Sequence, residues 1–235
     1  MTVSADGVSD PPETPQCYLD NTWWCAPYWA DRQEELVDGT LQHVLLTVVS
    51  VGIGLLLAFA LALLARRFSP LENAIVGATT IIYTIPSLAM FSLLLPLTGV
   101  SATTVVIGLA LYSLTILLRN ILAGLRAVPE DVRESAIGLG HGPTRLLFKV
   151  ELPLALPVIM AGLRVATVST VALVTIGSIV DNGGLGNLLL EAVGSEFKAQ
   201  ILAASVLCVL LAIVFDLSIV GLQRVLTPWT RTGRS

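Results

Sequence analysis

The sequence predicts an all-α membrane protein that crosses the bilayer five times. Of its 235 residues, 54% are hydrophobic and only 13% are charged, a composition too apolar for a soluble domain of this length. A spanning helix needs about 20 consecutive, mostly apolar residues, and several stretches meet this requirement. These are residues 41–65, 71–97, 102–122, 154–180 and 201–222. They form a transmembrane domain, 41–222, between tails of residues 1–40 and 223–235.

The distribution of basic residues predicts the orientation, because Lys and Arg near the ends of spans stay on the cytoplasmic side. They follow span one, surround the loop between spans three and four, and follow span five: Arg66, Arg67, Arg119, Arg126, Arg133, Arg145, Lys149, Arg224, Arg231 and Arg234. The segments on the other side hold only Arg32 and Lys198. We therefore expect the N-terminus outside and the C-terminus in the cytoplasm.

Two spans contain residues that predict how their helices pack. Gly52 and Gly54 in span one suit close helix packing, and we expect this helix to be a peripheral anchor. Pro86 lies in the middle of span two, where it removes one backbone hydrogen bond. This predicts a kink or a break after Ile85, and we favour a kink that lines a cavity.

The cytoplasmic loop, residues 129–153, predicts two short helices joined by a turn. Pro129 suits a helix start, and the two acidic residues after it lie at the positive end of the helix dipole. We expect this helix to reach Leu139, and Gly140 to allow a sharp turn. A second short helix is expected from Pro143, with Pro153 redirecting the chain into span four.

Span four is the most polar of the five and contains candidate pathway residues. Thr167, Thr170 and Ser178 either form hydrogen bonds between helices or line a solute path. Arg164 in this span and Asp216 in span five are ionisable groups within the membrane. Such charges are costly unless paired or hydrated, so we expect either an ion pair or an Arg164 that reaches the cytoplasmic interface.

The outer side is predicted to hold a glycine-rich turn and a tail. Asp181 and Asn182 begin the turn, which is either a hinge or outer gate, or a plain re-entrant loop. In the tail, Cys17 and Cys25 form a disulfide or remain two free thiols. An aromatic cluster is expected to anchor the tail at the membrane surface, or to form a cage for a quaternary ammonium group: Trp23, Trp24, Tyr28 and Trp29.

Patterns of catalysis and metal binding are missing from the sequence. It contains no Gly-x-x-x-x-Gly-Lys-Ser/Thr segment, so we do not expect it to bind ATP as a P-loop protein does. His43 and His141 are isolated, without metal-ligand spacing or a Ser-His-Asp arrangement. The net charge of −4 gives no indication of a nucleic-acid partner. We expect neither an enzyme nor a metal protein.

The loop between spans three and four resembles the EAA signature of binding-protein-dependent ABC importer permeases. The residues that carry the resemblance are, in order, Glu134, Ser135, Ala136, Gly140, Val150, Leu152 and Pro153. Ser135 stands where the family usually has Ala, and Val150 where it has Ile; both replacements are compatible with a helix-turn-helix. The resemblance implies the type I importer permease fold in a bacterial inner membrane.

A finer resemblance, over residues 43–193, is to the permeases for glycine betaine, carnitine and choline. The segments that carry it are residues 85–89, 111–114, 119–120, 148–162 and 183–186. It implies a permease subunit of an osmoprotectant importer. A permease for methionine, another amino acid or another small solute is the alternative, and a membrane scaffold without transport is the third hypothesis.

The resemblance also implies the partners. These are a second permease, identical or paralogous, two cytoplasmic ATPases that hold the ATP and Mg²⁺, and an extracytoplasmic binding protein. Glu134 and Arg145 are expected to meet the ATPase; otherwise Glu134 pairs within the loop and Arg145 only sets the orientation. Tyr83 and Tyr112 are candidates for contact with a cationic solute, or ordinary packing residues.

Overall fold

The computed structural model describes residues 15–231, with side chains to residue 229. The beginning of the predicted 1–40 tail and the end of the 223–235 tail lie outside these residues. Every regular element in the described range is helical, as expected. The α-helices are α1 (Gln16–Leu19), α2 (Ala26–Asp31), α3 (Gln33–Arg67), α4 (Ser69–Thr84), α5 (Ser87–Thr98), α6 (Ala102–Arg126), α7 (Glu130–Gly138), α8 (Pro143–Leu146), α9 (Leu152–Val174), α10 (Leu185–Ser195) and α11 (Lys198–Leu226).

Four helical runs in this range are long and apolar enough to cross a membrane. They are Gln33–Arg67, Ala102–Arg126, Pro143–Val180 and Lys198–Leu226. The pair α4 and α5 provides a fifth crossing if the two are counted as one span. The predicted spans therefore all correspond to helical segments, but span two is not a single helix.

The predicted disturbance after Ile85 is confirmed, but as a break and not as the kink that we favoured: the two halves of the helix are inclined at 99°. Ile85 has an extended conformation (φ −67°, ψ 126°), and Pro86 precedes the first residue of α5. The Ile85 carbonyl, which no longer accepts a bond within a helix, accepts one from the Tyr112 hydroxyl of α6. The break is therefore satisfied by a neighbouring helix, which a membrane interior requires.

The expected change of direction at Leu152 and Pro153 is wrong. The run Pro143–Val180 is continuous: α8 leads through a π-helical turn, Leu147–Glu151, into α9, and a 3₁₀ turn, Thr175–Val180, follows. Pro153 lies in the first turn of α9, directly after the π turn, where the altered hydrogen-bond spacing accommodates its missing N–H. The second half of the loop is therefore the beginning of span four itself.

The first span is not the peripheral anchor that we expected. Helix α3 begins at Gln33, inside the predicted tail, and packs along α6 and α9. A methyl group on Gly54 would lie 2.0 Å from Ser113 Oγ, whereas one on Gly52 would meet nothing within 4 Å. Of the two glycines, Gly54 is therefore the one that lies where α3 approaches α6 closely.

The two ends of the bundle are built differently. We call the end that carries α7, the π turn and the last turn of α3 the loop end. The opposite end, the tail end, holds residues 15–31 and the segment 181–198. There, Cys25 and Tyr28 pack with Leu36 of α3 and Ala199 and Ala203 of α11. The tail is therefore a folded cap on the bundle.

Candidate coupling and translocation site

Helix α7 presents part of the EAA-like motif to the surface. Pro129 precedes it, and Glu130 and Asp131 occupy its first turn, as the sequence predicted. Glu134 and Ser135 are exposed, and the Ser135 hydroxyl donates to the Asp131 carbonyl oxygen (2.7 Å). Within residues 15–229, the Glu134 side chain makes no hydrogen bond or ion pair. Its carboxylate is therefore available to a partner.

Gly140 makes the turn after α7. Its φ of +84° lies in the left-handed region, where glycine has no steric penalty. The Gly140 N–H donates to the Ile137 carbonyl (2.9 Å), and the His141 N–H donates to that of Ala136 (3.1 Å). Ala136 is buried, so it holds α7 against the protein while the turn reverses the chain.

Apolar side chains lie exposed around this turn. Leu139 is 80% exposed, Ile137 56% and Phe148 50%. Arg145 and Lys149 are exposed beside them. We call Glu134, Ile137, Leu139, Arg145 and Phe148 the coupling surface. Apolar residues rimmed by charges are typical of a protein-binding surface.

The remaining motif residues support this surface rather than form it. Val150, Leu152 and Pro153 are half-buried on the π turn and the start of α9. The motif thus divides into residues that face outward, Glu134, Ser135 and Gly140, and residues that hold the loop in place.

A buried ionic junction lies beneath α7, and sequence analysis missed it. Glu151 is fully buried, and both its oxygens are bonded by Arg66, with 2.8 Å between Arg66 Nη2 and Glu151 Oε1. Arg133 Nε lies 3.0 Å from the same Oε1. We had used the two arginines only as evidence of orientation. The local signal for Glu151 is an acidic residue at the start of the apolar run of span four.

Two of the predicted pathway residues meet at the break in span two. The rings of Tyr83 and Tyr112 are 5.8 Å apart and nearly perpendicular (71°). Tyr112 is buried and bonded to Ile85, whereas Tyr83 is exposed. Tyr112 therefore stabilises the break, and Tyr83 is the ring that remains accessible.

Thr167 and Thr170 do not line an open path in this chain. Both are buried, and their hydroxyls donate to the carbonyl oxygens of Leu163 (2.8 Å) and Ala166 (2.7 Å) of the same helix. Neither of the predicted roles, a bond to another helix or a lining position, describes them. Ser178 is half-buried in the 3₁₀ turn.

The glycine-rich segment is a fixed turn that leads into α10, a helix that the sequence did not predict. Asp181 is exposed with a positive φ of 55°, and Asn182 is half-buried. The Gly183 N–H donates to Asn187 Oδ1 (2.8 Å), and Asn187 Nδ2 donates to the Asp181 carbonyl (3.2 Å). These bonds close the turn, and α10 follows it directly; the hinge or outer gate and the plain re-entrant loop both stay predictions.

Arg164 and Asp216 form a bidentate ion pair between α9 and α11. Arg164 Nε is 2.8 Å from Asp216 Oδ1, and Nη2 is 2.7 Å from Oδ2. The side chains are 39% and 31% exposed. They border an open groove of about 460 Å³ that also contains Val165, Val168 and Ser169. A charged pair is thus exposed on the side of the bundle, well inside two membrane-length helices.

The tail end holds the predicted cysteines and aromatic residues. Cys17 and Cys25 form a disulfide with 5.5 Å between their Cα atoms. Tyr28 is buried against Phe197, with its ring centroid 5.5 Å away, so its expected place at the membrane surface is wrong. Burial raises the pKa of Tyr28 to about 12. Trp23 and Trp24 remain exposed, so the four aromatic residues do not form one shared face.

Metal-binding geometry is missing from the described part of the chain, residues 15–231, which contains no group of three or more His, Cys, Asp or Glu placed to hold an ion. The features that remain are those of a membrane protein that works with other subunits. They are several membrane-length helices, an exposed helical loop with an unpaired carboxylate, and a charged pair on the side of the bundle.

The family of this protein follows from its sequence. The model for "Binding-protein-dependent transport system inner membrane component" matches residues 50–232, so the chain belongs to this family. The resemblance carried by the EAA-like loop is thereby confirmed. The family assigns the chain a role in transport rather than catalysis, in agreement with our expectation.

The chain is also similar to proteins of known role. It is 37% identical to the osmoprotectant import permease protein OsmW of Salmonella typhimurium, covering 86% of this chain and 96% of that protein. It is 35% identical to the choline transport system permease protein OpuBB of Bacillus subtilis, covering 83% and 89%. These relatives confirm the finer resemblance to osmoprotectant permeases.

Solved structures confirm the importer permease fold. The chain matches the MetNI methionine ABC transporter in an inward-facing conformation with a TM-score of 0.76, covering 87% of this chain and 100% of that one. An amino acid ABC transporter solved with histidines gives a TM-score of 0.71, covering 86% and 98%. The identities are 20% and 19%, so these likenesses establish the fold alone.

Proposed function

We propose that this chain is the permease subunit of an ABC importer for quaternary-ammonium osmoprotectants, such as glycine betaine, carnitine or choline. The names of its relatives at 34–37% identity support this solute class. Methionine or another amino acid is the second candidate, and it rests on structural neighbours of only 19–20% identity. A scaffold without transport has no specific support.

The partners follow from the same proposal. The coupling surface would receive a cytoplasmic ATPase dimer, which binds ATP and Mg²⁺, while this chain binds no cofactor. A binding protein outside the membrane would deliver the solute, and a second permease, identical or paralogous, would complete the pathway. The observation that carries the ATPase contact is the exposed, unpaired Glu134 beside the apolar Ile137 and Leu139.

The proposed orientation places the loop end in the cytoplasm and the tail end outside. Arg66, Arg126, Arg145 and Lys149 all lie near the loop end, where the positive-inside rule requires them. The Cys17–Cys25 disulfide lies at the tail end, and disulfides persist in oxidising compartments outside the cytoplasm. Both features support the same orientation in a bacterial inner membrane.

The face between α9 and α11 is proposed to meet the second permease or the aqueous pathway. Arg164 and Asp216 are each about a third exposed in the single chain. Contact of such a pair with lipid tails would be costly, and charged residues within spans normally face other helices or water. The groove around the pair is therefore the best candidate in this chain for the side that faces the pathway.

The ATPase contact is tested by the charge reversal Glu134→Lys in the complete complex in liposomes. We expect the complex to insert and assemble, and solute-stimulated ATP hydrolysis to fall about tenfold or more, because like-charge contacts at an interface cost several kcal/mol. Glu34→Lys is the matched charge reversal at the tail end: because Glu34 is exposed at the end opposite to the proposed ATPase contact, the variant should leave ATPase retention and basal hydrolysis unchanged. Full stimulation in Glu134→Lys would overturn the proposal.

The solute class is tested separately by uptake of labelled glycine betaine, with choline, carnitine and methionine as unlabelled competitors. Competition by the quaternary-ammonium compounds but not by methionine supports the proposal. Uptake of labelled methionine instead would establish the second candidate.

A further inference from the structure

We propose that Glu151, held by Arg66 and Arg133, is a positioning residue that links the movement of α7 to that of α3 and α9. We call these three residues the ionic junction. The proposal rests on the proposed contact between the coupling surface and an ATPase. It assigns a role to a residue that lies inside the protein and does not contact the ATPase itself.

The junction connects three separate elements through one carboxylate. Arg66 belongs to the last turn of α3, Arg133 to α7, and Glu151 to the end of the π turn that leads into α9. Arg66 binds both carboxylate oxygens, and Arg133 Nε lies 3.0 Å from Oε1. Arg66 is thus held to Glu151 by two hydrogen bonds, whereas Arg133 is held by charge alone, because its Nε makes no hydrogen bond within the described residues.

Because Glu151 is buried, its carboxylate needs the two arginines as partners. Glu151 is fully buried, whereas the Arg66 and Arg133 side chains are 36% and 25% exposed. A buried carboxylate that loses all its partners is strongly destabilised, and removal of one partner from a buried pair is typically costly. When α7 shifts, Glu151 must therefore follow Arg133 or remain with Arg66 alone.

Helix α7 has few other attachments that could transmit its movement. It contacts the rest of the chain mainly at α8 and the π turn. Its outer side carries Glu134, while its inner side contributes the buried Ala136 and the arginine of the junction. Arg133 Nη2 also donates to the Leu125 carbonyl at the end of α6. Arg133 is therefore a polar side chain that joins α7 to the membrane-length helices.

The surroundings allow the junction to change its arrangement. An open cavity of about 210 Å³ borders both arginines, with Ser69 and Glu72 of α4 on its wall. The π turn that carries Glu151 departs from regular α-helical hydrogen bonding, and such turns are frequent at functional sites. The Glu151 carboxylate therefore lies on a segment whose backbone hydrogen bonds are not those of a regular α-helix.

The test uses the full complex of permease, ATPase and binding protein in liposomes, with the variants Arg133→Gln and Glu151→Gln. Arg133→Gln removes the ion pair between α7 and Glu151 together with the bond to the Leu125 carbonyl, and leaves Arg66 on Glu151. Glu151→Gln removes the charge of Glu151 but leaves the bond from Arg133 to Leu125, so the two variants separate these contacts. Glu130→Gln is the matched control: it removes a 71% exposed carboxylate 3.3 Å from the same Arg133. We measure basal ATP hydrolysis, its stimulation by loaded binding protein, and solute transported per ATP.

Both junction variants are expected to keep basal hydrolysis but to lose stimulation and transport per ATP by roughly 5- to 150-fold, the usual range of a coupling between sites. The double variant should be no worse than the more severe single one, because both cut the same link. Arg133→Lys, which keeps a charge beside Glu151, should restore part of the stimulation. Glu130→Gln should behave like the parent protein.

A purely structural role gives a different result. The variants would then assemble in smaller amount, or melt at lower temperature, with an unchanged stimulation ratio for each assembled complex, and this would overturn the proposal. If the complex with Glu151→Gln does not assemble, the stimulation ratio of Arg133→Gln alone tests the proposal. Failure of the underlying ATPase contact is recognised separately, because Glu134→Lys would then be fully stimulated.

Discussion

The two ends of the bundle differ in how far they are completed by this chain. At the tail end, the disulfide-closed segment covers α10 and α11, and Asn21 is bonded to the Glu196 carbonyl and to the Lys198 N–H (2.9 Å each). At the loop end, Leu139 and Phe148 are exposed and Glu134 is unpaired. The tail end is tied together by the protein's own covalent and hydrogen bonds, with Trp23 and Trp24 still exposed, whereas the loop end exposes a carboxylate and apolar side chains that make no such bonds.

The two ends are also held together by different interactions. The tail end is held by aromatic packing: the ring of Phe197 is stacked on that of Tyr18 (5.6 Å) and meets that of Tyr28 edge to face (5.5 Å). The loop end is held by the buried junction around Glu151. Close packing of the rings fixes the tail end in one arrangement. At the loop end, Glu151 has two cationic partners, Arg66 and Arg133, and the proposed movement of α7 would change the balance between them.

The largest expected effect comes from Leu139→Asp, which tests the open end. An Asp buried in an apolar interface leaves an unpaired charge, so we expect the ATPase to bind at least about 3 kcal/mol, or a hundredfold, more weakly. Retention of the ATPase on the purified permease measures this. Leu19→Asp, at a 67% exposed position of the tail end, makes the same chemical change and should leave retention intact. Equal losses in both variants would contradict the comparison.

The sequence predicted local features well and long-range ones poorly. The positions of the spans and the α7 turn follow from composition, from Pro129 and from Gly140, all readable within a few residues. The 99° break at Pro86 depends also on Tyr112, which lies on another helix. A lone proline indicates that a helix is disturbed, but not how far the two halves separate.

The missed site residues have the same physical explanation. Glu151 and Arg66 are 85 positions apart, and only the packing of α3 against α9 brings them together. Arg164 and Asp216 are 52 apart, but their pairing was foreseeable because each is a costly charge within a span. Helix α10 was missed because eleven residues are too few for a span.

An intermediate effect is expected for the closed end when the disulfide is removed. The Cys17→Ser and Cys25→Ser double variant frees a short loop of the unfolded chain, which lowers the stability of the cap by about 2.5 kcal/mol. Limited proteolysis from the outer side should then cleave residues 15–31 faster. ATPase retention should not change, since the loop end is separate. A cap as resistant as before would show that packing on Phe197 suffices without the covalent bond.

The smallest effect at neutral pH is expected for Tyr28→Phe. Tyr28 is buried and its hydroxyl has no hydrogen-bond partner among the described residues, so removing that oxygen should be neutral or should stabilise the cap by up to about 1 kcal/mol. Resistance of residues 15–31 to proteolysis measures the change. A marked loss of resistance would mean that the hydroxyl is bonded after all.

The same residue gives the cap a pH dependence with a definite sign. Burial raises the pKa of Tyr28 from 10.0 to about 12, so the unfolded tail loses this proton more easily than the folded one. The contribution of Tyr28 to stability is therefore complete below pH 10 and is lost as the pH rises towards 12. Tyr28→Phe should not show this loss of stability at high pH. In the parent protein, ultraviolet absorbance should show a tyrosine that ionises at a higher pH than a free tyrosine. If the stability of the cap declines equally at high pH in the parent protein and in Tyr28→Phe, groups other than Tyr28 cause the decline. The stability of the tail end would then not depend on the ionisation of this buried ring.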